Sequence, residues 1–288
     1  MKINTVVVIG AGTMGQGIAQ WFAQQNLMVE LVDQNFSFAE NGITHFHISF
    51  VNLDGLGILT SDQVSLFKKN LHAQKLEEIN TAADLVVEAI IENLEIKRNL
   101  FEELDRLMNH NTIIASNTSS FSITQMAQTL SEDRKNKFLG LHFFNPATIM
   151  KLVEVINGLE TNHDISHFLV EWFNARSKVA CLCTDSPAFI VNRVARNIFG
   201  EALISAEFYD VDKFREIDTV MKDVGGFKMG PFELMDLIGI DINFSVTESV
   251  YKAFFDEPRF KPHRLQKEMV MAGRLGKKTG KGFYNYGI

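Results

Sequence analysis

The chain has 288 residues, of which 46% are hydrophobic and 22% charged, an ordinary globular composition that excludes disordered, collagen-like and low-complexity classes. Its 28 basic and 35 acidic residues give a net charge of −7, which disfavours nucleic acid as the main partner because phosphate binding needs a basic face. No apolar run approaches the ~20 residues of a membrane helix, so no membrane partner is expected.

Predicted strands and helices alternate along the first half of the chain. Residues 5–9 (TVVVI) are a continuous β-branched run, which is typical of a strand buried on both faces. The other predicted strands cover residues 28–32, 84–89, 112–116, 138–144, 150–156 and 179–184, and the predicted helices cover residues 13–25, 94–108, 123–130 and 164–177. This alternation predicts an α/β fold with a doubly wound, Rossmann-like sheet.

The pattern changes near Ser186. Beyond Pro187 no strand is predicted, and helical spacing covers residues 188–209, 211–224, 231–255 and 262–274. We therefore expect a Rossmann-like domain over residues 1–185, followed by an all-helical C-terminal domain over residues 186–288.

A glycine-rich loop joins the first predicted strand to the first predicted helix. Gly10 suits a tight turn, Gly12 lets a pyrophosphate approach the backbone, and Gly15 allows the helix to pack closely on the sheet. The N-terminus of the helix attracts the anion. Asp33 ends the next strand, where a carboxylate accepts from a ribose 2′-OH and repels a 2′-phosphate. The loop therefore predicts NAD rather than NADP; the alternative is a tight turn without a ligand.

His142 and Glu154 lie on two predicted strands that flank Asn145-Pro146, a turn signal. If the turn is centred near Thr148, an antiparallel hairpin places the two residues opposite each other, with Cβ atoms about 4.5–5.5 Å apart. A carboxylate at that distance orients an imidazole and stabilises its cation, which suits a general base. The alternative is a polar pair that only closes the hairpin.

The cysteines and the N-terminus bear on the compartment. Cys181 and Cys183 are separated by one residue, a spacing that suits neither a disulfide framework nor a zinc site, so we expect reduced thiols in a strand. Residues 1–9 lack a cleavage site and run directly into the glycine loop, so no signal peptide is expected. These features predict a reducing compartment, by default the cytoplasm.

Several motifs, in order along nearly the whole chain, resemble those of the L-3-hydroxyacyl-CoA dehydrogenase family, of the 3-hydroxybutyryl-CoA dehydrogenase type. The segment GLHFFNPATIMKLVEV, residues 140–155, is the most diagnostic of them. The others are VVVIGAGTMGQGIAQ (6–20), LVVEAIIENLEIK (85–97), ASNTSS (115–120), FIVNR (189–193), MGPFELMDLIG (229–239) and GKKTGKGFYNY (276–286).

The resemblance implies an NAD-dependent interconversion of L-3-hydroxyacyl-CoA and 3-oxoacyl-CoA, as in fatty-acid or butanoate metabolism. His142 matches the family's general base and Glu154 its partner carboxylate, while Ser119 and Asn192 match residues that hold the reacting oxygen. It also implies a homodimer formed through the helical domain, with the active site in the cleft between the domains. The residues that match the family's NAD contacts are Gly10, Gly12, Thr13, Met14, Gly15, Asp33, Glu92, Lys97, Asn117, Ser119, Asn145 and Lys278.

Some of these matches have a simpler interpretation. Ser119 lies in a cluster that could only cap a helix. Glu92 and Lys97 could be solvated charges on a helix, and the glycines of residues 276–282 could only form a turn. Asn192 lies at a predicted mid-helix position, which is unfavourable unless its amide has a partner.

Residues 34–67 depart from the family pattern, because they contain no Lys or Arg where relatives usually carry lysines that hold the CoA phosphates. Either other residues bind CoA, or the acyl group arrives on another carrier such as acyl carrier protein, or the substrate is a free hydroxy acid. A non-catalytic NAD-binding protein is a further alternative.

A metal site at His45 and His47 is not expected, because residues two apart on a helix point to different faces. Ala188 replaces a usual glycine, with little expected consequence.

Overall fold

The computed structural model describes residues 1–287, without the side chain of Leu53. The chain divides into two compact units, Met1–Ser186 and Pro187–Ile288. In the described part of the chain no helix combines the length and the apolar character that crossing a membrane requires.

The first unit is built on one sheet of eight strands in the order β3-β2-β1-β4-β5-β6-β7-β8. Neighbouring strands are parallel except for the antiparallel pair β6 and β7. The prediction of a Rossmann-like sheet is confirmed. The strands are β1 (Thr5–Ile9), β2 (Met28–Val32), β3 (Leu71–Gln74), β4 (Leu85–Glu88), β5 (Ile113–Ser116), β6 (Phe138–Phe143), β7 (Leu152–Asn157) and β8 (Val179–Thr184).

The helices of the first unit connect these strands. The crossover from β2 to β3 contains two helices whose boundaries were not predicted. The helices are α1 (Thr13–Gln24), α2 (Phe36–Gly55), α3 (Ser61–Asn70), α4 (Leu94–Leu107), α5 (Ile123–Ala127), α6 (Glu132–Lys135) and α7 (His163–Asn174).

The core of this unit lies on both faces of the central strands. All residues of β4, β5 and β6 are buried, as expected for strands covered by helices on both sides. Trp21 of α1, Phe143 of β6 and Phe173 of α7 pack together, with ring centroids 5.4–6.1 Å apart. Because burying a large apolar side chain contributes roughly 1.5–3 kcal/mol, this cluster fixes α1 and α7 on the sheet.

The short strand β3 was not predicted. Its sequence, LHAQ, has neither a β-branched run nor an alternation of apolar and polar residues. It forms because its backbone pairs in parallel with β2, a tertiary interaction that its own residues do not signal.

The second unit is helical, as predicted. Its core contains Phe199, Leu203, Phe214, Phe232 and Phe283. The helices are α8 (Val191–Ala206), α9 (Val211–Asp223), α10 (Pro231–Ile238), α11 (Ile240–Ala253) and α12 (Arg264–Met271).

The prediction of one helix over residues 231–255 is wrong, because the helix breaks at Gly239. This residue has φ +101°, a conformation that glycine tolerates and a continuous helix excludes. The N–H of Ile240 donates to the carbonyl of Leu275, 3.2 Å away, rather than to the preceding turn. The break therefore divides the predicted helix into α10 and α11, and the first residue of α11 is hydrogen-bonded to Leu275.

The expectation of little consequence at Ala188 also needs correction. Ala188 is buried and has φ +64°, in the left-handed region. A side chain with a Cβ costs roughly 1–2 kcal/mol in that conformation, so alanine stores backbone strain that glycine would not.

Candidate active site

The glycine loop lies where the strand order reverses, between β1 and its neighbours β2 and β4. Gly10 has φ +107°, and a Cβ there would lie 2.5 Å from the carbonyl oxygen of Ala89. A Cβ at Gly15 would lie 1.7 Å from the carbonyl oxygen of Gly10, so the start of α1 can approach the loop only without a side chain. A Cβ at Gly12 would meet no atom within 4 Å, so this stretch of backbone is open to a ligand.

The first turn of α1 is suited to an anion. It contains Thr13 and Met14, has no acidic side chain, and no side chain caps its backbone N–H groups. Asp33 lies beside the loop, since its Oδ2 accepts from the N–H of Ala11 at 2.7 Å and its Oδ1 from that of Asn35 at 3.1 Å. Each carboxylate oxygen has further lone pairs, so Asp33 retains the capacity to accept from a ribose hydroxyl.

His142 and Glu154 are directly opposite each other in the antiparallel register of β6 and β7. The distance between His142 Nδ1 and Glu154 Oε2 is 2.6 Å, and both side chains are buried. A carboxylate on Nδ1 favours the tautomer that donates there, which leaves Nε2 as the basic nitrogen. The ring of Phe144 lies 4.5 Å from the imidazole, centroid to centroid, and forms one apolar wall beside it.

Asn117 connects the neighbouring strand ends to this pair. Its backbone N–H donates to the carbonyl of Glu88 at 2.7 Å, and its Oδ1 accepts from the N–H of Phe143 at 2.8 Å. The carboxyl ends of β4, β5 and β6 are therefore hydrogen-bonded together at the edge where open α/β sheets bind ligands.

Lys97 is not the solvated charge that its helical position allowed, because its side chain is only 1% exposed. Its Nζ donates to Glu88 Oε1 at 2.5 Å and lies 3.2 Å from Glu92 Oε2. Burial raises the pKa of Glu88, against the opposing effects of Lys97 and the Ser116 hydroxyl. Burial also opposes ionisation of Glu92, but Lys97 and the hydroxyls of residues 118 and 120 together hold the pKa of that carboxyl below its ordinary value.

Glu92 organises the loop after β5. Its Oε1 accepts from the hydroxyls of Thr118 and Ser120, at 2.6 and 2.8 Å, and from the N–H of Ser119 at 3.1 Å. The helix-cap interpretation of Ser119 is wrong, because the hydroxyl that caps α5 belongs to Ser122. The backbone of Ser119 is thus fixed by a carboxylate.

The remaining predicted site residues are Asn145, Asn192 and Lys278. Asn145 is exposed and precedes Pro146 through a cis peptide bond. Asn192 is the second residue of α8, so its predicted mid-helix position is wrong; it lies in the first turn and is half-buried. Lys278 lies in the second unit, where its Nζ is 2.6 Å from Asp241 Oδ1.

Two buried carboxylates of the second unit were not singled out from the sequence. Asp218 accepts from the N–H of Phe232 and the hydroxyl of Tyr284, and Asp236 accepts from the N–H of Phe283 and the hydroxyl of Tyr286. Burial raises the pKa of both carboxyl groups. They hold the segment 276–286 against α10, so the structure shows a structural role for this motif.

Residues 34–67 form α2 and most of α3, so the region without basic side chains is helical. Phe38, Ile48 and Val51 are exposed on α2. His45 is exposed and His47 half-buried, and among the described residues no group of three or more His, Cys, Asp or Glu side chains could hold a metal ion. The thiols of Cys181 and Cys183 are free, and burial raises the pKa of both.

Two family models match the chain over most of its length. Residues 5–186 match the NAD-binding domain of 3-hydroxyacyl-CoA dehydrogenase, and residues 189–286 match its C-terminal domain. The chain belongs to the 3-hydroxyacyl-CoA dehydrogenase family. Its cofactor is NAD, and its reaction class is that of an NAD-dependent oxidoreductase.

Individual relatives agree with the family models. The chain is 42% identical over 286 residues to 3-hydroxyadipyl-CoA dehydrogenase of Escherichia coli, covering 99% of this chain but 60% of the relative. It is 38% identical to a probable 3-hydroxybutyryl-CoA dehydrogenase of Bacillus subtilis, covering 99% of this chain and 98% of the relative. The crystal structure of (S)-3-hydroxybutyryl-CoA dehydrogenase from Ralstonia eutropha matches with a TM-score of 0.92 at 35% identity, over 100% of both chains.

Proposed function

We propose that this member of the family interconverts 3-hydroxyacyl and 3-oxoacyl thioesters of CoA, with His142 as general base. The observation that supports this role is the buried 2.6 Å contact between His142 Nδ1 and Glu154 Oε2. His142 lies near the carboxyl end of β6, which is the end of the parallel strands at which the glycine loop follows β1. The open backbone at Gly12 and the adjacent Asp33 fit a dinucleotide.

NAD⁺, when bound, accepts the hydride that leaves C3 of the hydroxyacyl group. His142 Nε2 takes the proton of the 3-hydroxyl as the C–H bond breaks and the C=O bond forms. Glu154 stabilises the resulting imidazolium, because a buried carboxylate on Nδ1 interacts more strongly with the cation than with the neutral ring. In the reverse direction the imidazolium returns its proton to the 3-oxo oxygen.

Other residues are proposed to bind rather than to transfer protons. Ser119 and Asn192 are proposed to donate hydrogen bonds to the reacting oxygen, and Asn145 and Lys278 to contact the cofactor. The fixed backbone of Ser119, held by Glu92, supports its part in this assignment. Lys97 is buried and forms ion pairs with Glu88 and Glu92, so we propose that it acts on the cofactor by holding Glu92 in place.

The test is oxidation of NADH by the purified protein with acetoacetyl-CoA as substrate. We expect turnover with a hyperbolic dependence on the thioester. If neither acetoacetyl-CoA nor acetoacetyl-pantetheine is reduced, the proposed reaction is wrong, even if NADH binds.

The second candidate function is dehydrogenation of a hydroxyacyl group on another carrier. The absence of Lys and Arg from residues 34–67, with apolar side chains exposed on α2, favours it. Similar KM values for acetoacetyl-CoA and acetoacetyl-pantetheine would show that the CoA nucleotide adds no binding energy and would favour this alternative. A much lower KM for the CoA ester would favour CoA.

We also propose a homodimer that forms through the second unit. Val220, Val224 and Ile242 are large apolar residues exposed on α9, at its C-terminal cap and on α11, and their burial against a second copy would favour association. Light scattering should give twice the 32.5 kDa of one chain, and the single-chain mass at micromolar concentration would contradict the dimer.

We also propose a reducing compartment such as the cytoplasm, which the two free thiols support.

A further inference from the structure

The loop between β6 and β7, residues 144–151, joins the strand of His142 to the strand of Glu154 and contains Asn145. It also touches the dinucleotide-binding helix, since a Cβ added to Gly17 of α1 would lie 3.4 Å from the Cβ of Ala147. Ala147 is buried, whereas Ile149 and Met150 are exposed. The loop is therefore anchored at one point on α1, and its tip faces solvent.

Lys178, the residue before β8, lies at that anchor and is buried. Its Nζ donates to the carbonyl oxygens of Ala147, at 2.5 Å, and Met150, at 2.6 Å. The ammonium also lies 4.9 Å from the ring centroid of Trp21, one turn after Gly17 on α1, and 5.8 Å from that of Phe143. One cation thus contacts the loop, α1 and the end of β6.

The electrostatic setting of Lys178 distinguishes it from the other buried cations of this unit. Lys97 and Arg134 each have a carboxylate partner, whereas Lys178 has an ion pair with none of the described acidic residues. Desolvating an ammonium without a counter-ion is costly, and an apolar side chain would fill the same space at lower cost. Stability alone does not account for a charge at this position, whereas donation to two loop carbonyls does.

We propose that Lys178 is a positioning residue for hydride transfer. It holds the loop against α1 and so keeps His142 and Asn145 aligned with the helix end at which the dinucleotide binds. The proposal rests on the proposed function. Its physical basis is that hydride transfer needs the donor and acceptor carbons in a near-attack geometry, and a misplacement of about 1 Å can cost on the order of 100-fold in rate.

The position of Lys178 predicts a larger effect on turnover than on NADH binding. The glycine loop and Asp33 lie at the N-terminal end of α1, and Trp21 and Lys178 lie toward its other end. Loss of the ammonium should therefore loosen the loop and leave the pyrophosphate site intact. We expect kcat to fall strongly, while the dissociation constant of NADH changes only by the few-fold that a looser contact of Asn145 allows.

The experiment compares two variants. Lys178→Met keeps the approximate length of the side chain and removes its charge and its hydrogen-bond donors. Lys178→Arg keeps the charge and the donors. Rates are expressed per NADH-binding site, so misfolded protein does not count. For Lys178→Met we expect kcat to fall roughly 10- to 100-fold, with NADH affinity within a few-fold of wild type. The isotope effect with C4-deuterated NADH should stay at or rise above the wild-type value, and Lys178→Arg should recover part of the rate.

Arg134→Met is the matched control. Arg134 is an equally buried cation that donates to the backbone carbonyls of Thr112 and Met108, at the amino ends of the strands rather than at the site. Its loss should lower the melting temperature and leave kcat per NADH site and the isotope effect unchanged.

The outcomes separate the two proposals. If the wild type reduces no acyl thioester, the proposed function fails and the role of Lys178 falls with it. If the wild type turns over and Lys178→Met has the same kcat per NADH site, the positioning role alone is wrong. A loss of kcat that Arg134→Met shares, or one matched by an equal loss of NADH affinity, also overturns it.

Discussion

The two units contain buried carboxylates that are used in different ways. In the second unit, Asp236 accepts from two backbone N–H groups and one tyrosine hydroxyl, all of which are fixed donors. In the first unit, Glu154 pairs with the imidazole of His142, the kind of side chain that most often acts as a general acid or base. The comparison shows that burial of an acid does not by itself indicate catalysis. The proposed catalytic role of Glu154 rests on its imidazole partner, whereas the partners of Asp236 are backbone N–H groups and a tyrosine hydroxyl.

The largest effect is expected from Glu154→Gln. The amide can neither select the tautomer as strongly nor stabilise the imidazolium, so kcat should fall by roughly 10²–10⁴-fold with the fold retained. Steady-state kinetics and a melting curve measure the two quantities. A variant with wild-type kcat would show that Glu154, like Asp236, has only a structural role.

Asp236→Asn tests the structural member. The amide NH₂ would face a backbone N–H or the hydroxyl of Tyr286, leaving buried donors unpaired, at a cost of about 1–3 kcal/mol in the free energy of unfolding. Denaturant unfolding should show this loss. Asp223→Asn, at an exposed carboxylate at the end of α9 in the same unit, is the control for a generic loss of charge, and an equal loss there would contradict the specific role of Asp236.

The buried ammonium of Lys178 should make the free energy of unfolding depend on pH. Burial lowers the pKa of its ammonium from 10.5 to about 8. Between these values the unfolded chain holds a proton that the folded protein has released, so the contribution of Lys178 to stability rises as pH increases through this window and is absent below about 8. The unfolding free energy of wild type minus that of Lys178→Met should therefore increase from pH 8 to 10.5. A flat difference would contradict the burial of a charged lysine.

The smallest effect is expected at Ala188. Replacement by glycine relieves the strain of φ +64° but increases the freedom of the unfolded chain, so the net gain should be about 0.5–1 kcal/mol. A rise in the melting temperature checks it, with Ala202→Gly, in the helical conformation of α8, as the destabilising control. A loss of stability at Ala188→Gly would show that the alanine methyl contributes more through packing than it costs in strain.

The sequence predicted those elements whose own residues carry the signal. The bounds of β1, β2 and β8 agree with the prediction because each is a run of strand-forming residues that ends at a loop or turn. The opposition of His142 and Glu154 followed from the period of the antiparallel pairing. The break at Gly239 was missed because the apolar spacing continues across it, although the glycine itself was a signal.

The burial of charged side chains was not predictable in the same way. A lysine in a helix or before a strand is ordinarily predicted to be exposed to solvent. Only the tertiary structure shows that Lys97 lies between two carboxylates and Lys178 between two backbone carbonyls. Asp218 and Asp236 were missed for the same reason. Their donors come from residues distant in sequence, so no local pattern identifies them.

The role of His142 as general base is tested by comparing wild type and His142→Ala in NADH oxidation with acetoacetyl-CoA, with NADH affinity measured in parallel. We expect turnover to fall by about 10²–10⁴-fold, the contribution of a positioned general acid–base group, while NADH binds as to wild type. Turnover at the wild-type rate in His142→Ala would contradict it.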